Sequence, residues 1–515
     1  MYTLGDIPRK GARIRSHKEA LVFEGARYTY GQFESRVNRL ANALLGLNCR
    51  KSDRIAVLSD NSHKFLEIYF AAAKAGLAVV PINFRLARKE VVQIVADSEP
   101  TVFLVGDGYE AFVSAIRGEA GSVGAWISLD SRTEGFSCYE DLLKDSSDVD
   151  PFIPVDENDL AILMYTGGTT GLPKGVMLSH RNILASILGS VVGCQFSESD
   201  ITCMLLPLFH VAFWPALCCL MVGGKVVIIR RPELGTILKT IQDEKCTHVN
   251  AVPTLYNWLL EFPKLDEFDL SSVRLMTYAG STMPKEVLKR CLRKFGNILA
   301  QGYGMTEAAP LSLLMPDEHV LDGPRSRLLS SAGREGVPAE IRVVDDNGKP
   351  LGPGGIGEIV ARGPNVMLGY WKNEKLTRER LRDGWLHTGD MGTLDEEGYL
   401  YLVDRKADMI ITGGENVYPN ETENVLYQHP SVQECAVVSA PDERWGEKVQ
   451  AAVVLRPGET ATEQDLIDFC KRELAGYKCP KNVVFLDKLP KSTVGKILRG
   501  EIKKDLWKKE GRTIG

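Results

Sequence analysis

The sequence has no Cys-x-x-Cys pair. Its eleven cysteines are scattered, and only Cys218 and Cys219 stand close together. Zinc clusters and redox dithiols therefore gain no support, and reduced, mostly buried thiols are expected. Also missing is any uncharged apolar stretch of about 18 residues, the length a membrane helix needs. The opening Met1-Tyr2-Thr3-Leu4-Gly5-Asp6 lacks the basic and then apolar run of a secretory signal. Together these predict a cytoplasmic protein without a membrane span. Charge of one sign is scarce too: 62 Lys+Arg against 67 Asp+Glu leave a net charge of −5. That provides no broad positive field for a nucleic-acid backbone, so nucleic acid is excluded as a partner. Internal repeats and low-complexity tracts are absent as well.

With 44% hydrophobic and 25% charged residues over 515 positions, the chain reads as a globular protein too long for one compact core. Phe33, Val37, Leu40 and Leu44 recur at helical spacing, and the apolar run Ile55-Ala56-Val57-Leu58 reads as a short buried strand. A helix over 65–75 then leads into Ala78-Val79-Val80-Pro81. The same alternation returns at 225–229 and 273–278, which predicts an α/β region of doubly wound type. From 339 to 369 short strands are separated by Asp-Asn-Gly and Gly-Pro-Gly-Gly turns, the pattern of a β-rich subdomain. Beyond Asp404-Arg405-Lys406 the order is helix (421–428), strands (432–439 and 449–455), helix (463–474) and strand (483–486). The expected fold class is therefore α/β: a large multi-sheet N-terminal domain (1–404) with a β-rich subdomain, a hinge (405–408) and a small mobile α+β C-terminal domain (409–515).

The most informative segment is Tyr165-Thr166-Gly167-Gly168-Thr169-Thr170-Gly171-Leu172-Pro173-Lys174-Gly175, which follows the strand-like Leu160-Ala161-Ile162-Leu163-Met164. Its glycines let backbone N–H groups converge, its threonines add hydroxyl donors and Lys174 adds a cation, a combination suited to a polyphosphate. Gly175 stands where a Walker-type loop needs Ser or Thr, so this is a different phosphate cradle. The segment resembles the phosphate loop of the adenylate-forming superfamily of acyl-CoA synthetases, luciferases and peptide-synthetase adenylation domains. That loop usually has Ser where this chain has Gly168.

The resemblance recurs in order along nearly the whole chain. Leu206-Pro207-Leu208-Phe209-His210-Val211 resembles the segment bordering the acyl pocket. The likeness places Phe209, His210, Val211, Phe213, Tyr278, Ala279 and Met305 on that pocket's walls. Gly302-Tyr303-Gly304-Met305-Thr306-Glu307 resembles the adenosine motif, in which Tyr303 packs on adenine, Thr306 reaches the α-phosphate and Glu307 holds Mg²⁺. Gly280 lies in the stretch that runs past the base. Asp390 and Arg405 match the ribose-binding pair, and a carboxylate offers the two acceptor oxygens that a cis-diol needs. Residues 405–410 resemble the hinge, with Ala407 where relatives commonly have Asp or Lys, so Asp408 is a second candidate pivot.

Pro490-Lys491-Ser492-Thr493-Val494-Gly495-Lys496 resembles the catalytic-lysine loop. A cation at Lys496 stabilises the encounter of two anions, a carboxylate and an α-phosphate. Lys496, Thr306 and His210 are thus the expected catalytic residues, whereas Lys491 and Arg499 read as solvated surface charges.

For the acyl acceptor, Gly413 and Gly414 resemble the loop that lines a pantetheine tunnel. Trp445 resembles a residue that stacks on the adenine of coenzyme A. Lys478 and Lys481 resemble cations near its phosphates, with Cys479 in place of a frequent Arg. No carrier domain follows the lysine loop in this sequence. The resemblance therefore implies ATP, Mg²⁺ and coenzyme A as cofactor and cosubstrates, a small carboxylic acid as substrate, and a homodimer as a compatible assembly. The apolar neighbourhood of Phe209, Val211, Phe213, Trp214, Leu217 and Met221 favours a fatty, aromatic or alicyclic acid. Two alternatives stay open: an adenylation enzyme that loads a separate carrier protein, and a non-catalytic nucleotide-binding relative.

Overall fold

The computed structural model describes residues 2–166, 173–406, 408–412, 414–442, 445–492 and 495–509. The helix Tyr30–Gly46 starts where Thr29 and Gln32 satisfy each other's backbone N–H groups in a capping box, and it buries Phe33, Val37, Leu40 and Leu44. Short Val- and Ile-rich runs become central parallel strands, because both of their faces are covered by helices or by another sheet.

Among the described residues four sheets are formed. The first has nine strands. Leu299–Met305, Leu275–Ala279, His248–Ala251, Ile201–Met204, Lys225–Ile228 and Glu19–Phe23 run parallel in that spatial order, and antiparallel strands flank them on both edges. The second has eight, in the order Gly369–Tyr370, Lys174–Ser179, Leu160–Thr166, Ala78–Ile82, Arg54–Leu58, Val102–Val105, Ala125–Ser128 and Ser137–Cys138. One continuous apolar cluster spans both sheets. The third is antiparallel, built from Glu340–Val344, Gly357–Arg362, Trp385–Leu394, Leu381–Arg382 and Leu400–Arg405.

The fourth sheet, with Ile410–Thr412, Glu415–Val417, Val432–Asp442, Gly446–Leu455 and Asn482–Phe485, packs against the helices Pro419–Leu426 and Glu463–Glu473 around its own apolar cluster. The fold is thus a large multi-sheet α/β domain followed by a small α+β domain. All the cysteines are free, and all but Cys138 are buried. No helix among the described residues is long and apolar enough to cross a membrane.

Candidate active site

Thr166 and Lys174 face each other at the ends of two antiparallel strands. Gly167, Gly168, Thr169, Thr170 and Gly171 themselves lie outside the described residues. The Lys174 strand pairs on its other side with Gly369–Tyr370. From there the Tyr370 hydroxyl donates to Glu307 Oε1 at 2.8 Å. Glu307 and Thr306 are buried at the turn between Leu299–Met305 and Ala308–Leu314. That turn closes only because position 304 is glycine: a Cβ there would meet the Ala308 carbonyl oxygen at 2.9 Å and the Ala309 Cα at 3.0 Å.

One strand position earlier, Tyr303 is buried and donates its hydroxyl to Asp390 Oδ2 at 2.8 Å. Asp390 pairs in register with Arg405, whose Nε stands 3.5 Å from Asp390 Oδ1. Tyr303, Thr306, Glu307, Asp390 and Arg405 come from two sheets and are thereby linked into one group, with Gly302 and Gly304 on the same strand. Gly280, at φ +87°, follows the neighbouring strand Leu275–Ala279.

Lys496 reaches this group from the small domain. Burial first, and then the neighbouring Arg405, push its ammonium down to about 8, with Asp390 and Asp408 opposing and Arg499 adding to the shift. Its loop is held against the large domain by Thr254, whose hydroxyl donates to the Gly495 carbonyl at 3.0 Å.

His210 lies close enough to feel Lys496. Burial and that cation hold its imidazole down at about 4, so the ring is neutral at pH 7. Its Nδ1 accepts from the Ala212 N–H at 3.2 Å, which leaves the ring proton on Nε2. The preceding backbone is pinned by Asn61 and Tyr69, which bond to Leu206 and Leu208. Phe209 packs edge-on against Phe84 at 5.5 Å, and Val211 is half-buried beside it.

Two expected pocket residues are placed elsewhere. Tyr278 shares a strand face with Ala251 and Gln301, and its hydroxyl is tied to Gln301 and His319. It is fully buried on the side of the sheet away from the His210 segment. Phe213 stacks on Tyr69 at 4.6 Å inside the core. The sheet face that does meet the segment carries Asn250, Thr277, Ala279 and Gly302. Asn250 Nδ2 donates to the Ala212 carbonyl at 3.1 Å, while Asn250 Oδ1 accepts from the Thr277 hydroxyl at 2.9 Å. Asn250 and Thr277 do not stand out in the sequence as site residues. The available signal was polar residues inside otherwise apolar strands, which burial makes costly unless they are paired. Met305 ends its strand half-buried, next to Thr306.

Arg499 is likewise no solvated charge. It grips Glu423 with two bonds of 3.0 and 2.7 Å and donates to Asn420 Oδ1 at 2.7 Å. It also stands 3.4 Å from Asp404 and 3.5 Å from Asp408. Burial pushes the Asp404 carboxyl up to about 6, with Arg499 opposing. Lys491 is similarly engaged, 2.5 Å from Glu434.

On the small domain, Thr412 pairs with Gly446, which sets the Gly414 turn beside Trp445. Gly414 has φ +88° and open space where a side chain would stand, and Trp445 is exposed. Lys478 is bound to Glu421 at 2.7 Å, and Lys481 donates to the Gly476 carbonyl at 2.9 Å. Gly413 and Ala407 lie outside the described residues. Among those residues no cluster of three or more His, Cys, Asp or Glu suits a metal. A lone carboxylate such as Glu307 still fits Mg²⁺, which is usually bound through one or two carboxylates together with substrate phosphates.

Residues 9–371 match the model of the AMP-binding enzyme family, and residues 421–496 match the AMP-binding enzyme C-terminal domain. The chain belongs to the AMP-binding enzyme family. As a member it is an adenylate-forming enzyme of the acid–thiol ligase class. A feruloyl-CoA synthase of Amycolatopsis is 38% identical over 503 residues, covering 97% of this chain and 98% of that protein. An indoleacetate–CoA ligase of Aromatoleum aromaticum is 37% identical over 498 residues, 96% of each chain. The crystal structure of the anthranilate CoA ligase AuaEII with anthranoyl-AMP superposes with a TM-score of 0.91 at 28% identity, covering 99% of this chain and 98% of that one.

Proposed function

We propose that this enzyme joins an apolar, ring-bearing carboxylic acid to coenzyme A through an acyl-adenylate. The observation that carries the reading is the docking of the Lys496 loop on the large domain, where the Thr254 hydroxyl donates to the Gly495 carbonyl at 3.0 Å and the cation comes within electrostatic reach of Asp390, Arg405 and His210.

In the first half-reaction Asp390 and Arg405 hold the ribose and Tyr303 covers the base. The glycine–threonine segment between Thr166 and Lys174 holds the β- and γ-phosphates. The acid is already ionised at pH 7 and needs no general base. One carboxylate oxygen bonds to the α-phosphorus, and the bond to the bridging oxygen breaks, so pyrophosphate leaves with the electron pair. The Lys496 ammonium and the Thr306 hydroxyl stabilise the charge gathered on the α-phosphate oxygens. Glu307 would hold Mg²⁺, whose charge would supply further stabilisation there.

In the second half-reaction residues 405–408 act as the hinge between the domain 1–404 and the domain 409–515. The small domain turns, Lys496 withdraws, and the Gly414 turn with Trp445 beside it is brought to the acyl group. The sulfur bonds to the carbonyl carbon, the bond from that carbon to the phosphate oxygen breaks so that AMP leaves with the electron pair, and the thiol proton is released to solvent. Lys478 and Lys481 would have to exchange their present partners for phosphates in that arrangement.

The acid class is read from the pocket wall. Ala279 and Gly302 put only a methyl group and no side chain on the strand face that also carries Asn250 and Thr277, the face that meets the segment of Phe209 and Val211. Small and neutral groups there, beside the Phe209 ring, suit an aryl or arylalkyl acid. The feruloyl, indoleacetate and anthranilate ligases named above are similar over nearly their whole length. The test is a panel of aryl, alicyclic, fatty and dicarboxylic acids, scored for AMP and thioester formed with and without coenzyme A. Aryl acids giving coenzyme-A-dependent AMP and thioester bear the reading out. Adenylate that free coenzyme A cannot discharge points instead to a carrier protein as the acceptor.

A further inference from the structure

The lysine loop and its neighbours touch the large domain along one face of a single helix, Pro253–Leu260, and the residue that caps it. Thr254, Trp258 and Glu261 are spaced i, i+4 and i+7, so they point the same way. Thr254 holds the Gly495 carbonyl at 3.0 Å. Trp258 lies under Lys491, whose Nζ is 4.8 Å from the ring centroid and is paired with Glu434.

Glu261 uses both oxygens on the small domain. Oε1 accepts from Arg456 at 2.9 Å and Oε2 from Gln433 at 3.0 Å. Gln433 and Arg456 flank the register pair Val432↔Leu455 at one end of the small-domain sheet, so one carboxylate grips the ends of two adjacent strands. Arg290 stands 3.8 Å from the same oxygen and donates to Asn257 at 3.3 Å, which anchors the carboxylate on the large-domain side. None of these groups touches the Tyr303–Asp390–Arg405 group. Any sizeable turn of the small domain would break all of them together.

We propose that Glu261, with Arg456 and Gln433, is a latch that sets how much of the enzyme stands in the adenylating arrangement, and hence the ratio of its two half-reaction rates. The proposal rests on the domain rotation described above. Glu261 is a positioning residue, acting through where Lys496 sits.

The test measures acyl-adenylate formation in a single turnover, and thioester formation from supplied acyl-adenylate and coenzyme A, in Glu261→Gln, Glu261→Ala, Arg456→Ala and the Glu261→Ala/Arg456→Ala double variant. Adenylate formation is expected to fall about ten-fold in each Ala variant, less in Glu261→Gln, and no further in the double variant, since the two residues serve one contact. Thioester formation is expected to hold or rise. The charge-exchanged pair Glu261→Arg/Arg456→Glu restores part of the adenylation rate. Equal loss in both half-reactions, or additive losses in the double variant, would overturn the latch. Lys496→Ala separates the two ways of failing. Unchanged adenylation in Glu261→Ala beside lost adenylation in Lys496→Ala overturns the latch alone. Equal loss of both steps in Lys496→Ala overturns the rotation and the latch with it.

Discussion

Tyr303 donates its hydroxyl to Asp390 across 2.8 Å, joining the last parallel strand of the large sheet to the antiparallel sheet that runs on to Arg405. The carboxylate assigned to the ribose is therefore oriented before any nucleotide arrives. Removing that bond in Tyr303→Phe keeps the ring over the base but frees the carboxylate, at a cost of about 1 kcal/mol. The KM for ATP is expected to rise about five-fold with kcat nearly unchanged, measured by acid-dependent pyrophosphate exchange.

Gly304→Ala is expected to be far more damaging than its one added methyl suggests. The new Cβ would press on the backbone of Ala308 and Ala309, which cannot swing aside as a flexible side chain would. The turn bearing Thr306 and Glu307 must shift, so adenylate formation should fall by more than about ten-fold. The cost in stability is about 1–3 kcal/mol, read from denaturant unfolding.

The depressed Lys496 ammonium gives a signed pH effect. Docked, it titrates near 8 rather than at its ordinary 10.5. Docking therefore releases a proton between those values, and the docked arrangement gains stability as pH rises through that window. A bound triphosphate favours the ammonium and reverses the sign. ATP binding at pH 8 should take up about half a proton, measured by calorimetry in buffers of different ionisation enthalpy, and Lys496→Ala should abolish the uptake.

Arg499→Ala leaves Glu423 and Asp404 without their shared cation in a buried setting. It is expected to cost about 3 kcal/mol, seen as a lowered unfolding midpoint. Lys491→Ala, which removes one ion pair of similar burial with Glu434 rather than a cation shared by several partners, should cost less, about 2 kcal/mol.

Most of the architecture was legible because it is local. The helix of the small domain expected at 463–474 is found at Glu463–Glu473, and the strand expected at 483–486 at Asn482–Phe485. The helix expected at 421–428 begins two residues earlier, because Pro419 can take the first helical position, where no N–H is needed. Side-chain direction was less legible. Tyr278 and Thr277 are neighbours in sequence, yet strand alternation turns them to opposite faces, and only the register with Asn250 and Gln301 shows which face meets His210. Arg499 looked like a surface charge because its partners Glu423, Asn420 and Asp404 lie 76 to 95 positions away. The Glu261 contacts, spanning 172 and 195 positions, were invisible for the same reason.

The account stands most directly on Lys496. Lys496→Ala, assayed for acid-dependent exchange of pyrophosphate into ATP and separately for thioester formation from supplied acyl-adenylate, should lose the first reaction by about a hundred-fold or more and keep the second within a few-fold. Comparable losses in the two reactions, or exchange that survives the substitution, would contradict it.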